Sequence, residues 1–154
     1  MEGEPALKYT IQVSKNLAAE WEGETSKGNG DPITKIHLHN QIPGKAGPHV
    51  LNIFGAPSED DEHLVVDVDA RTFSGIWDDL DENLSAVDPD MDPTNPPTRD
   101  GGDSVALNDY DSLTGAIPLV ELCAGNLYVN LHSENHGPGA LRGQIIPTSD
   151  ACSE

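Results

Sequence analysis

Six histidines are the residues of this chain best equipped for chemistry, and four of them fall where strand geometry can gather them. In Ile36-His37-Leu38-His39 apolar residues alternate with imidazoles. Side chains two apart in a strand share a face, so His37 and His39 form a two-point ligand set opposite Ile36 and Leu38. The segment Leu127-Tyr128-Val129-Asn130-Leu131-His132 repeats the pattern, with three aliphatic residues toward a core and Tyr128, Asn130 and His132 facing outward. His49 follows Gly47-Pro48 at the end of a short loop, ten positions after His39, so the chain can fold back to set it beside the first pair. His37, His39, His49 and His132 can therefore converge.

A cluster of imidazoles without thiolates or several carboxylates is chemistry for a transition metal. Neutral imidazole suits copper and zinc, whereas calcium and magnesium take oxygen ligands, and an all-imidazole set favours copper as Cu(I) or Cu(II). Zinc and nickel stay open as alternatives. His136 and His63 are outer candidates for the same metal; His136 lies in the turn-forming Glu134-Asn135-His136-Gly137-Pro138-Gly139 and reads first as a solvated residue. Asp88-Pro89-Asp90-Met91-Asp92 opens like a calcium loop, but Pro93 at the sixth position and Arg99 at the twelfth replace the glycine and glutamate that an EF-hand needs. Loose calcium binding by clustered carboxylates is all that stretch supports, and a solvated acidic loop is the simpler reading. There is no Gly-x-Ser-x-Gly elbow, no cysteine beside a histidine motif and no phosphate-cradling glycine loop, so nucleophilic catalysis has no support.

The elements that must position these histidines are strands. Segments rich in strand formers recur between Gly, Pro and Asn punctuation: Lys8 to Val13, Ile33 to Asn40, Val50 to Phe54, Leu64 to Val68, Thr72 to Trp77, Leu127 to His132 and Leu141 to Ile146. Short strands in this number predict an all-β sandwich or barrel. Helical periodicity is confined to a short stretch around Ile117 to Cys123. At 154 residues the chain fits a single domain, 1–154.

Charge is the other organising feature. The formal net charge is −19, and Glu59 to Asp111 holds 17 of the 27 acidic residues with only Arg71 and Arg99 to offset them. Pro89, Pro93, Pro96, Pro97 and many aspartates predict a long solvated loop between Leu84 and Asn108, within an acidic insertion at about 78–111. Such a surface repels nucleic-acid phosphates and anionic membranes, and the eight Lys and Arg form no basic patch. Apolar runs such as Leu64-Val65-Val66 fall far short of a membrane span. Met1-Glu2-Gly3-Glu4-Pro5 lacks the basic and apolar regions of a signal peptide, so the compartment has to be read from other features. Cys123 and Cys152 are either one disulfide, as an oxidising compartment permits, or two thiols. Asn83-Leu84-Ser85 satisfies the glycosylation pattern.

Asn126-Leu127-Tyr128-Val129-Asn130-Leu131-His132-Ser133, followed by Gly139-Ala140-Leu141-Arg142-Gly143-Gln144-Ile145, resembles the C-terminal signature of the CHRD domain first described in chordin. Ile33-Thr34-Lys35-Ile36-His37-Leu38-His39 resembles its other signature, and the likeness spans roughly Lys8 to Pro147. A more distant resemblance is to copper-zinc superoxide dismutase, through His37-x-His39, Ala46-Gly47-Pro48-His49, His132 and Arg142. This second resemblance implies a Greek-key β-sandwich or barrel and a copper site of His37, His39, His49 and His132, with Arg142 near an open position as the catalytic cation of a dismutase. For a zinc half-site only His63, Asp67 and Asp69 could serve, so copper alone is the better carry-over. Together the resemblances imply a secreted, periplasmic or cell-surface protein that binds copper for storage, delivery or buffering. The alternatives are a copper-only dismutase and a protein-interaction domain whose acidic loop meets a basic partner or binds calcium; a homodimer also stays open. The net charge of −19 repels superoxide and so places binding ahead of dismutation.

Overall fold

The computed structural model describes residues 6–13, 17–21, 24–25, 31–55, 63–78, 80–81, 104–148 and 152. Among them run nine strands and one short helix: β1 (Leu7–Gln12), β2 (Leu17–Trp21), β3 (Glu24–Thr25), β4 (Asp31–Asn40), β5 (His49–Gly55), β6 (Val65–Asp67), β7 (Thr72–Trp77), α1 (Pro118–Cys123), β8 (Leu127–Ser133) and β9 (His136–Gln144). They build two sheets, one ordered β1-β7-β6 and the other β3-β2-β4-β8-β9 with β5 also paired to β4. Every pairing is antiparallel except a short parallel match between β2 and the start of β4. The chain is thus an all-β sandwich.

Alternation in the sequence explains which side of each strand meets the core. In β1 the half-buried Leu7, Tyr9 and Ile11 alternate with exposed Lys8, Thr10 and Gln12, the period of two that a one-sided strand requires. Ile36 and Leu38 of β4, Val50, Leu51 and Ile53 of β5, Phe73 and Trp77 of β7, and Leu127 and Leu131 of β8 close a common apolar core. The central strands β4 and β5 are buried on both faces, and the second face of β4 is the one that carries the histidines.

Strand ends differ from the sequence reading for identifiable reasons. β6 stops at Asp67 because the Asp67 Oδ1 accepts the Ala70 N–H at 2.8 Å, a side-chain turn that Arg71 completes with φ 58°. β9 begins at His136, five residues before the expected Leu141, and runs through Pro138. Proline survives there because β9 lies at the edge of its sheet, where one side of the backbone forms no ladder. Leu17-Ala18-Ala19 gave no sign of β2, since alanine is a poor strand former and pairing with β4 overrides that preference.

The loop was expected to be solvated as far as Asn108, and its return is not. Ser104, Val105, Ala106 and Leu107 are buried; Val105 donates its N–H to the Val50 carbonyl at 2.9 Å and accepts the Trp77 Nε1–H at 2.9 Å. Asp111, also buried, accepts from the Leu113 N–H and the Thr114 hydroxyl, so its charge shapes a turn. Residues 82–103, with the Asn83 triplet and the Asp88–Asp92 stretch, lie outside the described residues.

Cys123, at the end of α1, is bonded to Cys152 across 29 residues. This joins the C-terminal segment to α1, whose Leu122 is in the core. Closing a loop of that length removes unfolded-state entropy worth about 3.6 kcal/mol. Reduction, or the Cys123→Ser and Cys152→Ser pair, is expected to lower stability by about that amount in urea unfolding; no change in midpoint would show that the bond leaves the unfolded chain unrestrained.

Candidate metal centre

Three adjacent strands bring the histidines together. His37 and His39 stand on the same face of β4; His49, the first residue of β5, is the direct cross-strand partner of His39. On the other side, β8 sets Asn130 opposite His37, Tyr128 opposite His39 and His132 opposite Lys35, so all these side chains share one face. The ligand atoms of His37, His39 and His49 lie within 4.8 Å of one another. Ring centroids are 4.1 Å apart for His37 and His49, 4.4 Å for His39 and His49, and 5.3 Å for His37 and His132. His132 is next to the triad and outside that group.

This face points away from the core as alternation requires, yet His37 and His39 are only 3% and 7% exposed. The loop from Gln41 to Pro48 roofs them. Gly47, next to its end, ties it down: its N–H donates to the Tyr128 hydroxyl at 3.2 Å, and its carbonyl accepts the His39 Nδ1–H at 2.9 Å. A Cβ at Gly47 would stand 1.9 Å from the Asn40 carbonyl oxygen, so the backbone approach that closes the roof admits no side chain. Tyr128 stacks on His39 at 4.8 Å with an interplanar angle of 6°, and the Arg142 guanidinium lies 3.5 Å over the Tyr128 ring.

Three of the four imidazoles, those of His39, His49 and His132, are held from behind by oxygen. A carbonyl oxygen can only accept, so the Gly47 and Gly137 carbonyls require Nδ1–H on His39 and His132. The fully buried Asn52 faces the His49 Nδ1 with its Oδ1 at 2.7 Å, which fixes the same tautomer. Each ring therefore keeps its lone pair on Nε2, the outer-shell arrangement that orients metal-binding histidines. At His39 that Nε2 is buried without a hydrogen-bond partner, and a buried acceptor left in this way is costly unless something else takes it up. A metal ion fits the donor set: three imidazole nitrogens within reach of one centre, two of the rings oriented by oxygen acceptors.

Burial also pushes the His39 pKa from 6.5 down to about 4, against the raising effect of the Gly47 carbonyl and with smaller lowering from His49, His132 and Arg142. The neutral ligand form is thus the one the fold accepts. As pH falls below 6.5 the unfolded chain takes up this proton while the folded chain resists it until about 4. The stability that His39 contributes is therefore complete above 6.5 and is lost progressively between 6.5 and 4. Over that window the metal-free protein is expected to lose about 3 kcal/mol more than a His39→Gln variant; parallel pH profiles of urea stability for the two proteins would refute it.

The other proposed ligands lie elsewhere. His63 is exposed at the start of the three-stranded sheet, near Lys8 and Val65, and Asp67 is committed to its turn. No group of described residues puts His63, Asp67 and Asp69 around one centre. His136 is exposed at the start of β9, with its Nδ1 3.4 Å from the Ser133 hydroxyl. Sequence reasoning missed the holders: Asn52, Asn130, and the carbonyls of Gly47 and Gly137. Alternation does place Asn130 and Tyr128 beside His132, but nothing in composition marks a backbone carbonyl as a partner.

Residues 2–145 match the family model described as the CHRD domain. The chain belongs to the CHRD-domain family. No curated protein and no solved structure matches it, so the likeness to superoxide dismutase rests on the residues alone. In this CHRD domain, both signature strands, β4 and β8, contribute histidines to that face, and β5 adds His49. Among the described residues no helix is long and apolar enough to cross a membrane.

Proposed function

We propose that this CHRD domain is a copper-binding module working outside the cytoplasm, in storage, delivery or buffering, with His37, His39, His49 and His132 as its ligands. The observation that carries the reading is the histidine triad, with His37 and His39 buried and the rings of His39 and His49 held from behind in one tautomer. Imidazole donors alone favour copper over calcium or magnesium, and zinc is the competing ion. The Cys123–Cys152 bond supports an oxidising compartment. Metal analysis of protein purified without chelator, then titration with copper followed by absorption and paramagnetic resonance, tests it. One copper per chain with a nitrogen-rich spectrum is expected; no uptake, or preference for zinc under competition, overturns it.

Arg142 supports a second reading, a copper-only superoxide dismutase, because its cation stands on Tyr128 beside the cluster. Bound copper would supply the one-electron chemistry, and Arg142 would draw the anion toward it. The guanidinium also donates to the Ile42 carbonyl at 3.3 Å, and the chain's net charge of −19 opposes anion approach, so binding stays the preferred role. Activity of the copper-loaded protein above that of free copper, reduced in Arg142→Ala, would favour the enzyme.

A further inference from the structure

His132 is held differently from His39. Its Nδ1–H is committed to the Gly137 carbonyl at 2.6 Å, which leaves the lone pair on Nε2, and the Asn130 amide donates to that lone pair at 3.2 Å. Asn130 is itself seated against Gly139, where a Cβ would stand 2.7 Å from its Oδ1. The Nε2 of His39 carries no such donor, and the ligand atoms of His37, His39 and His49 already form a compact group that excludes His132. The gathered three thus stand apart from His132, whose Nε2 is already engaged by Asn130.

Resting on the copper reading above, we infer that Asn130 is a latch on the fourth ligand. His37, His39 and His49 take the ion first; His132 joins in a second step, when its Nε2 exchanges the Asn130 amide for the metal. Asn130 is a positioning residue in this scheme and does not itself ligate. Its amide keeps His132 pointed at the site in the metal-free protein, at the expense of affinity, because a bond must break before the fourth ligand can act. The net worth of one such hydrogen bond sets the scale, a factor of about three to ten in affinity.

Stopped-flow mixing of the full chain with copper(II) sulfate, followed by visible absorption, reads both steps. The parent is expected to show a first phase whose rate rises with copper concentration and a second whose rate does not. In Asn130→Ala the second phase should speed up by about tenfold or merge with the first, with affinity about three to ten times higher. His132→Ala should keep the first phase and lose the second, which tests the latch even where the Asn130 variant does not fold. Uptake by the parent in a single concentration-dependent phase, or an unchanged second phase in a folded Asn130→Ala, overturns the latch and leaves copper binding standing. No uptake at all overturns the proposed function and the latch together.

Discussion

Replacement of His39 by alanine is expected to lower copper affinity by about a thousandfold, equivalent to about 4 kcal/mol, in competition with a calibrated chelator. The loss is large because His39 combines three properties found together at no other described position. Its Nε2 is buried and has no other partner, its tautomer is fixed by Gly47, and its pKa of about 4 keeps it neutral throughout the physiological range. No proton has to leave before it can bind. Disturbing an outer-shell partner typically costs 10 to 100-fold, so removing the ligand itself should exceed that range. His63→Ala and His136→Ala, both outside the cluster, should bind as the parent does. A His39→Ala variant that folds and binds within about tenfold of the parent would remove His39 from the ligand set.

The sequence made the ligand strands readable and left their cradle obscure, for one physical reason. A period of two is written in side-chain types, so Ile36-His37-Leu38-His39 and Leu127 to His132 announce both a core face and a histidine face. What lies over the second face depends on a loop closing by backbone hydrogen bonds, which have no side-chain signature. Alternation turns the imidazoles from the core without saying what covers them: Asn40 and Gln41 donate their N–H groups to the Pro48 and Asn126 carbonyls at 3.1 and 2.8 Å, and the loop folds down on His39. The same blindness hid the buried return at Ser104, whose hydroxyl accepts the Asn52 N–H at 2.8 Å. Through Asn52, that return is tied to the ring of His49. The disulfide was readable only as a pairing between alternatives, since two cysteines 29 positions apart say nothing of their distance in space.

Gly47→Ala is expected to be the most disruptive single substitution in the roof, destabilising the protein by about 3 to 5 kcal/mol. Its new methyl would meet the Asn40 carbonyl oxygen at 1.9 Å, and the Gln41 Cβ at 2.9 Å. Neither is the far end of a flexible side chain, so the loop backbone itself must retreat. With it go the N–H that holds Tyr128 and the carbonyl that holds the His39 tautomer. The melting temperature should fall by about 10 °C on the usual scale for a domain of this size, and copper affinity by a further 10 to 100-fold from loss of the outer-shell partner. Gly44 in the same loop provides the contrast. Its φ of +83° disfavours a side chain, but nothing lies within 4 Å of its Cβ position. Gly44→Ala should therefore cost only the left-handed backbone penalty, about 1 kcal/mol, and leave copper affinity unchanged. Equal effects from the two substitutions would mean that loop conformation alone closes the roof; the predicted inequality instead traces the buried histidine face to one backbone contact that only glycine permits.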